Sequence, residues 1–298
     1  MIIVDYSQIA ISTLMAELAG RKDVPISVPL VRHMLVNAMR SFKYRFGRTY
    51  GQLVIACDDR RYWRKEIFEH YKASRKKARE DSGFDWQSIF EALNMVKQEL
   101  SEHFPYPVIE VPRAEADDVI ASLVFWSQNN DLVGGGILED AQPQPILILS
   151  QDHDFQQLQM YHNVEQYAPV EKKFIKNENP NLFLVEHILR GDKGDGIPNF
   201  LSPAETFVTE GMRQKNLGAK ADVWKHLSKD EYLTTPELKA NFERNERLVD
   251  LRCIPQEIQD TVIDSYTKQV ALRKDRSKLL DYFVKYQMPN MMEHLNEF

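Results

Sequence analysis

The chain has few of the residues that cross-link secreted proteins or bind zinc. It contains only two cysteines in 298 residues, Cys57 and Cys253, and they form no CxxC pair. A disulfide framework is therefore excluded, and both thiols are expected to be buried. Histidine and cysteine do not cluster in the sequence either, which disfavours a zinc centre.

Long hydrophobic runs and an excess of positive charge are also missing. No apolar stretch approaches the roughly 20 residues that cross a bilayer, and the N-terminus carries no apolar leader. We therefore expect a cytoplasmic protein without a membrane partner. Because the formal net charge is −6, nucleic acid could bind only through a local positive patch. The length suggests about two domains.

Three apolar segments with the length and branching of buried strands are each followed by aspartate. Helical patterns separate these segments, which predicts an α/β fold with a mostly parallel sheet. The carboxyl ends of parallel strands meet at one edge of the sheet, where open α/β sheets bind their ligands. The acids in question are Asp5, Asp58, Asp152 and Asp154.

A second acidic group begins a predicted helix just after Pro112. Glu115, Asp117 and Asp118 fall in its first turn, where the helix dipole favours each acid by only roughly 0.3 to 1 kcal/mol. That is too little to explain three acids. If this turn and the strand that leads to Asp152 share one sheet edge, repulsion would raise several pKa values unless cations compensate. Magnesium prefers such oxygen ligands, so a divalent metal site is the economical interpretation.

A basic stretch lies between residues 60 and 79. It contains nine lysines and arginines interleaved with tyrosine, tryptophan and phenylalanine. One interpretation is an exposed helix with internal ion pairs, since Glu66 and Glu69 supply opposite charges at helical spacing. The other, which we favour, is contact with single-stranded nucleic acid, because cations bind its phosphates and flat rings stack on its bases.

The pattern of apolar residues changes near residue 180. After this point helical patterns continue without hydrophobic strands. A predicted helix over residues 182–190 ends in GDKGDGIP, where glycines relax the backbone and Asp192 and Asp195 become available as further carboxylates. Two metal ions held by such acids can activate a water and hydrolyse a phosphodiester. The residues by themselves therefore predict a metal-dependent nuclease.

The motifs IIVDYSQ, IACDD, YKASR, EADD, DHDF and GDKGDGIP together resemble the 5′ nucleases of the flap endonuclease superfamily, in particular the ribonucleases H of T-even-type bacteriophages. The resemblance runs from Asp5 to the terminal NEF. It implies a PIN-like 5′-nuclease domain over residues 1–180, with a central mostly parallel sheet and a basic helical arch at about residues 60–82. A helical DNA-binding region with a helix-three-turn-helix would follow over residues 181–298.

The implied activity is 5′ to 3′ exonuclease and flap endonuclease action on RNA·DNA and DNA duplexes, which removes RNA primers from lagging-strand fragments during DNA replication. Two Mg²⁺ ions would be bound, for which Mn²⁺ can substitute. The implied substrates are duplexes with 5′ ends or flaps. Replication proteins such as a single-strand-binding protein or a sliding clamp would be further partners. The expected state is a monomer, in the host cell cytoplasm if the protein is phage-encoded.

The resemblance also assigns site residues by matching position. The metal ligands would be Asp5, Asp58, Glu115, Asp117, Asp118, Asp152, Asp154, Asp192 and Asp195. The catalytic residues would be Lys72, Arg75 and Asp152. The nucleic-acid contacts would be Arg60, Arg64, Tyr71, Lys72, Arg75, Lys76, Lys77, Arg79, Lys193, Gly194 and Gly196, with Tyr71 stacking on a base.

The chain departs from the family pattern around the acids of QDHDF and in GDGIPNF, and FLSPAETFVTEG replaces the usual glycine-rich continuation. Two alternatives remain open. One is a DNA-structure-binding module with little turnover, against which the presence of all nine acids argues. The other is a PIN-type endoribonuclease acting on single-stranded RNA, from which the basic arch and the helical C-terminal region would distinguish this chain.

Overall fold

A six-stranded sheet forms the centre of the molecule. The computed structural model describes residues 1–18, 20–21, 25–133, 141–272 and 277–298. Its strands are β1 (Ile2–Asp5), β2 (Leu53–Cys57), β3 (Val108–Glu110), β6 (Ile146–Leu149), β7 (Val164–Ala168) and β8 (Lys173–Ile175), and a separate pair consists of β4 (Leu132–Val133) and β5 (Gln142–Pro143). The strand order in the central sheet is β3-β2-β1-β6-β7-β8.

Every pairing in the central sheet is parallel except that of β7 with β8. The strands β1, β2 and β6 are buried along their whole length, as expected for strands covered by helices on both faces. In the register of the sheet, Asp5 pairs with Ala56, and Val4 pairs with Leu149. The carboxyl ends of the three central strands therefore lie side by side.

The helices occupy both faces of the sheet and the region beyond it. They are α1 (Tyr6–Leu18), α2 (Val28–Tyr50), α3 (Trp63–Ile67), α4 (Ser74–Ser82), α5 (Trp86–His103), α6 (Ala116–Asn130), α7 (Pro180–Arg190), α8 (Lys220–Trp224), α9 (Lys229–Tyr232), α10 (Pro236–Val249), α11 (Gln256–Ala271), α12 (Ser277–Lys285) and α13 (Pro289–Met292). None of them, within the described ranges, combines the length and the apolar character needed to cross a membrane.

Helix starts follow ordinary capping chemistry. The Asp85 carboxylate accepts a hydrogen bond from Ser88 N (3.1 Å) at the start of α5. Helix α1 begins at Tyr6, directly after β1, and Asp5 Oδ1 accepts a hydrogen bond from Gln8 N (3.1 Å). The last residue of the strand therefore also caps the helix.

Two hydrophobic clusters enclose the sheet. On one face α1, α2 and α5 pack together with the C-terminal segment, where the rings of Phe104 and Tyr282 lie 5.1 Å apart. On the other face α6 packs against α11. The fold is thus a three-layer α/β arrangement, and the predicted fold class, with its mostly parallel sheet, is confirmed.

The helical region beyond residue 180 divides between two environments. Residues 184–249 form a third cluster, which also receives Phe68 and Tyr71 from the basic stretch. Residues 251–266 instead pack onto one face of the sheet, and residues 279–298 pack onto the other. The helix α7 is followed by turns over residues 193–196, and the next α-helix, α8, begins only at Lys220. Of the two thiols, Cys57 is buried as expected, whereas Cys253 is only partly buried.

Candidate metal centre and nucleic-acid interface

The sheet brings the predicted acids of its central strands to one edge. β1 lies between β2 and β6, so Asp5 at its end is flanked by Asp58 after β2 and Asp152 after β6. The chain leaves β1 toward β2 on one side and reaches β6 on the other, which makes this edge the topological switch point where α/β folds bind ligands.

Asp5 is the most enclosed of these acids, with 5 % of its surface exposed. Ser150 Oγ donates a hydrogen bond to Asp5 Oδ2 (3.0 Å), which fixes the carboxylate in place. Burial, with the nearby charges of Asp58 and Asp152, raises the pKa of Asp5 to about 7. A carboxylate held in this way favours a bound cation, because the cation relieves both the burial of charge and the repulsion.

Asp117 joins this group from the first turn of α6. Asp58 Oδ1 accepts a hydrogen bond from Ala116 N (3.0 Å), and this contact fastens the start of α6 to the end of β2. Burial raises the pKa of Asp117 well above its ordinary value, and the charges of Asp152 and Asp5 raise it further. The structure thus brings together the four aspartates Asp5, Asp58, Asp117 and Asp152.

Asp118, the neighbouring acid, faces a different environment. It is fully buried, and its carboxylate accepts hydrogen bonds from Arg64 Nη1 (2.7 Å), Trp63 Nε1 (3.1 Å) and Glu115 N (2.8 Å). Protein donors therefore engage both of its oxygens. The prediction that Asp118 holds a metal ion is corrected to a structural role, because the side chain anchors α3 to α6.

The predicted contacts of Arg64 and Tyr71 with nucleic acid are also corrected, because each residue has only 2 % of its surface exposed. Arg64 donates to Leu248 O (2.9 Å) and to the carboxylates of Glu115 and Asp118. The Tyr71 hydroxyl donates to Glu115 Oε2 (3.0 Å). Neither side chain can contact nucleic acid in this arrangement. The basic stretch is not one exposed helix, because α3 turns inward and its Trp63 packs in the cluster that contains α6.

Lys72 and Arg75, the two cations predicted to be catalytic, do lie at the acids. Lys72 Nζ pairs with Glu115 Oε1 and lies 3.5 Å from Asp195 Oδ2. Although burial lowers the pKa of Lys72, the charges of Glu115 and Asp195 outweigh it and raise that pKa, so the amine stays protonated. Arg75 Nη2 pairs with Asp195 Oδ1, while about half of the Arg75 side chain remains exposed (49 %).

The remaining cations of the stretch face solvent. α4 has no buried residue, and Arg60, Lys76 and Lys77 are exposed. Arg79 is partly covered, with its guanidinium 5.5 Å from the centre of the Phe90 ring. Between α4 and α5 runs a cleft of about 850 Å³. Its lining includes Asp58, Arg60, Tyr62, Arg75, Arg79 and Phe90. The cleft therefore joins the acidic edge to a basic, aromatic surface.

A second acidic cluster lies at the end of α7. Asp154, which follows β6, and Asp192, which follows α7, meet here together with His187 of the last helical turn. Burial and the charge of Asp152 raise the pKa of Asp154 to about 7, although His187 opposes the rise. The nearby imidazole of His187 lowers the pKa of Asp192 to about 2. The sequence reasoning missed His187, whose signal was its position one turn before GDKGD.

The turn after α7 contacts the backbone of the basic stretch at His70 and Lys72. Lys72 N donates to Asp195 O (2.7 Å), and Gly196 has φ +77° with so little space that a Cβ would lie 2.8 Å from His70 O. Gly196 is buried, so its predicted contact with nucleic acid is corrected to a close approach between backbones. Lys193 and Gly194 are exposed, as a duplex contact would need.

Comparisons with known proteins identify the family of this chain. Residues 1–182 match the family model described as 5′-3′ exonuclease, N-terminal resolvase-like domain, and residues 178–298 match the model described as T4 RNase H, C terminal. The chain is 30% identical to the ribonuclease H of Enterobacteria phage T4 over an alignment of 306 residues. This alignment covers 99% of this chain and 95% of that protein.

Two solved structures from bacteriophage T5 share the fold. One is the 5′-exonuclease with bound zinc, at a TM-score of 0.62 and 18% identity, which covers 92% of this chain and 99% of that one. The other is the flap endonuclease in a pseudo-enzyme-product complex with DNA and metal ions, at a TM-score of 0.61 and 16% identity, which covers 91% of this chain and 98% of that one.

Proposed function

The chain belongs to the 5′-3′ exonuclease family, and we propose that it is a 5′ nuclease that hydrolyses phosphodiester bonds in RNA·DNA and DNA duplexes. It would act from 5′ ends and at 5′ flaps, and so remove RNA primers from lagging-strand fragments. The observation that carries this proposal is the meeting of four aspartates at the sheet edge, with the cations Lys72 and Arg75 nearby.

The donor set fits divalent metal ions with a preference for oxygen. We propose Asp5, Asp58, Asp117 and Asp152 as ligands of one ion, and Asp154, Asp192 and Asp195 as ligands of the other. Glu115, which the sequence also predicted as a ligand, is left out because its carboxylate is paired with Arg64 and Lys72. The raised pKa values of Asp5 and Asp154 support this, since bound cations relieve buried like charges. When bound, two Mg²⁺ or Mn²⁺ ions would supply an activated water and neutralise charge on the attacking and leaving oxygens.

The chain's own cations would bind the phosphate that is cleaved. Lys72 and Arg75 are paired with Glu115 and Asp195, and an incoming phosphodiester offers both cations a competing anionic partner. Lys72 remains protonated there, so its charge is available as negative charge builds up on the phosphate oxygens. The guanidinium of Arg75 adds a planar pair of donors that suits phosphate.

Substrate selection would depend on the surfaces on either side of the acids. The cleft of about 850 Å³ beside α4 offers the 5′ single strand exposed cations for its phosphates and the ring of Tyr62 for a base. Lys193 and Gly194 would contact the backbone of the duplex. The cations of α4 would then bind the 5′ single strand, and the contact with the duplex would determine which phosphodiester bond is cleaved.

The cellular context is proposed from the phage relative. The protein would act as a monomer in the cytoplasm of the host cell, on duplexes with 5′ ends or flaps. Replication proteins, such as a single-strand-binding protein or a sliding clamp, would be its further partners.

A labelled duplex with a 5′ single-stranded flap tests the proposal. Product lengths are read at nucleotide resolution with magnesium, with manganese and with chelator. We expect metal-dependent products released from the 5′ end or at the flap junction. If the protein binds the flap in a gel shift but yields no product with either metal, it is a DNA-binding module instead. Cleavage of unpaired RNA alone would indicate an endoribonuclease.

A further inference from the structure

His187 gives the second acidic cluster a nitrogen donor. Its Nδ1 lies 3.3 Å from Asp154 Oδ1, and its Nε2 lies 3.7 Å from Asp192 Oδ2. One ligand atom from each of the three residues can be chosen so that all lie within 4.8 Å of one another. Two ligands that bind one ion at right angles, each about 2.1 Å from it, lie about 3 Å apart, so the spacing suits a shared cation.

The imidazole is held in place but is not fully satisfied. Its side chain is 13 % exposed, and the ring of Phe183 lies 5.7 Å away, centre to centre. Nδ1 is buried, and no residue in the described part of the chain makes a hydrogen bond of good geometry with it. A buried polar atom without a well-formed hydrogen bond is unfavourable, which points to a ligand that the protein alone does not supply.

The space next to the ring can admit such a ligand. A cleft of about 490 Å³ opens at this point, and its lining includes Asp154, His187, Asp192 and, farther round, Glu186 and Arg190. The first group of acids, in contrast, consists of the aspartates Asp5, Asp58, Asp117 and Asp152. The two clusters therefore differ in donor chemistry.

We propose that His187 is a ligand of the second metal position, and that its nitrogen makes this position prefer Mn²⁺ and later transition metals to Mg²⁺. Magnesium demands oxygen ligands, whereas imidazole suits transition metals, whose affinity rises along the series from manganese to copper. The all-oxygen position would retain Mg²⁺. In a mixture of the two metals the protein would then hold one ion of each kind. This inference rests on the proposed two-metal nuclease.

Another role for the ring is that of a resident cation. Burial lowers the pKa of His187, but Asp192 and Asp154 outweigh that effect and raise it. A protonated ring would occupy the place of a metal ion and compete with it. The two roles predict opposite effects when the ring is removed.

Metal binding to the full-length protein, without substrate, separates these roles. Bound Mn²⁺ is measured from the loss of the free-ion electron paramagnetic resonance signal, and Mg²⁺ is measured by its competition with Mn²⁺. We expect two Mn²⁺ ions per chain in the wild type. His187→Ala should weaken one of them at least about tenfold, with a much smaller change for Mg²⁺. His187→Gln, which supplies an amide oxygen, should keep Mg²⁺ binding and lose the preference for Mn²⁺.

His153→Ala is the matched control, because His153 lines the same cleft but is exposed and lies outside the cluster. Thermal unfolding with chelator checks that each variant is folded. Unchanged Mn²⁺ affinity in His187→Ala and His187→Gln, with a loss in Asp154→Asn, would overturn the ligand role and leave the nuclease proposal intact. Tighter Mn²⁺ binding without the ring would overturn it in favour of the resident cation. No bound Mn²⁺ in the wild type would remove the metal proposal as a whole.

Discussion

The adjacent acids Asp117 and Asp118 should respond in opposite ways when each loses its charge. Asp118 is fully buried, and its partners are Arg64, the Trp63 indole and the backbone of Glu115. Asp118→Asn leaves the Arg64 guanidinium, which is itself only 2 % exposed, with one carboxylate fewer. This change should therefore destabilise the fold.

The size of that effect follows from the burial of the pair. Removing one partner of a buried ion pair costs about 3 to 5 kcal/mol, because the other charge stays buried without compensation. Glu115 still accepts from Arg64 Nη1 (2.9 Å), so we expect the lower end of that range. At about 2 to 4 °C per kcal/mol for a chain of this order of size, the melting temperature should fall by about 10 °C.

Asp117→Asn should not have this cost. The charge of Asp117 lies close to those of Asp152 and Asp5, which burial and repulsion already disfavour. Neutralising it should leave the metal-free protein as stable as the wild type or more stable. The cost should appear in metal affinity instead, since a proposed ligand is lost.

Thermal unfolding with chelator and with magnesium, together with Mn²⁺ binding, measures both effects. Asp118→Asn should melt lower under both conditions and still bind Mn²⁺ once folded. Asp117→Asn should keep its melting temperature in chelator and gain less from magnesium than the wild type. A stable Asp118→Asn protein that had lost Mn²⁺ binding would refute the structural role assigned to this residue.

Three further outcomes are expected. The pKa of Asp5 is about 7 in the folded metal-free protein, above its ordinary value of 3.8 in the unfolded chain. Between these two pH values the folded protein binds more protons than the unfolded chain, so its free energy of unfolding falls as the pH rises. From pH 5 to about pH 7, at 1.36 kcal/mol per unit, this loss amounts to about 3 kcal/mol, so urea midpoints in chelator should fall from pH 5 to pH 8, and Asp5→Asn should flatten the change. Gly196→Ala should cost about 1 to 3 kcal/mol more than Gly211→Ala in urea unfolding, because both glycines have positive φ but only Gly196 would clash, with His70 O; equal costs would contradict the tight approach. Arg75→Ala should slow single-turnover cleavage on the order of a hundredfold with Mn²⁺ binding unchanged, and an unaltered rate would exclude its role at the phosphate.

The sheet and its acidic edge could be predicted because they follow from local patterns. Apolar segments four or five residues long that each lead to an aspartate predict parallel strands with a shared carboxyl end, and the structure places Asp5, Asp58 and Asp152 there. The start of α6 could be predicted for the same reason, since Pro112 and a helical apolar face fix its position.

The environment of each acid could not be predicted in this way. Asp117 and Asp118 are neighbours in one motif, yet only long-range packing decides that Asp118 meets Arg64, which in turn reaches Leu248 O. Tyr71 and Arg64 are residue types that suit a nucleic-acid surface, but both are buried and donate hydrogen bonds to Glu115. Position along the chain gave no indication of which cations fold inward.

The second cluster shows the same limit. His187 precedes Asp192 by five residues and Asp154 lies more than thirty residues earlier, so their meeting depends on how α7 packs against the segment after β6. The attachment of residues 251–266 and 279–298 to the faces of the sheet likewise needs the folded chain, because their helical pattern suits either a separate region or an outer layer.

The central claim is tested most directly at Asp152, which follows β6 and whose charge acts on both Asp5 and Asp117. Single-turnover cleavage and gel-shift affinity are measured for Asp152→Asn and wild type on the same 5′-flap duplex with magnesium. The account predicts that cleavage is abolished while affinity for the flap stays close to that of the wild type. Retained hydrolysis by Asp152→Asn would contradict the assignment of the acidic sheet edge as the active site.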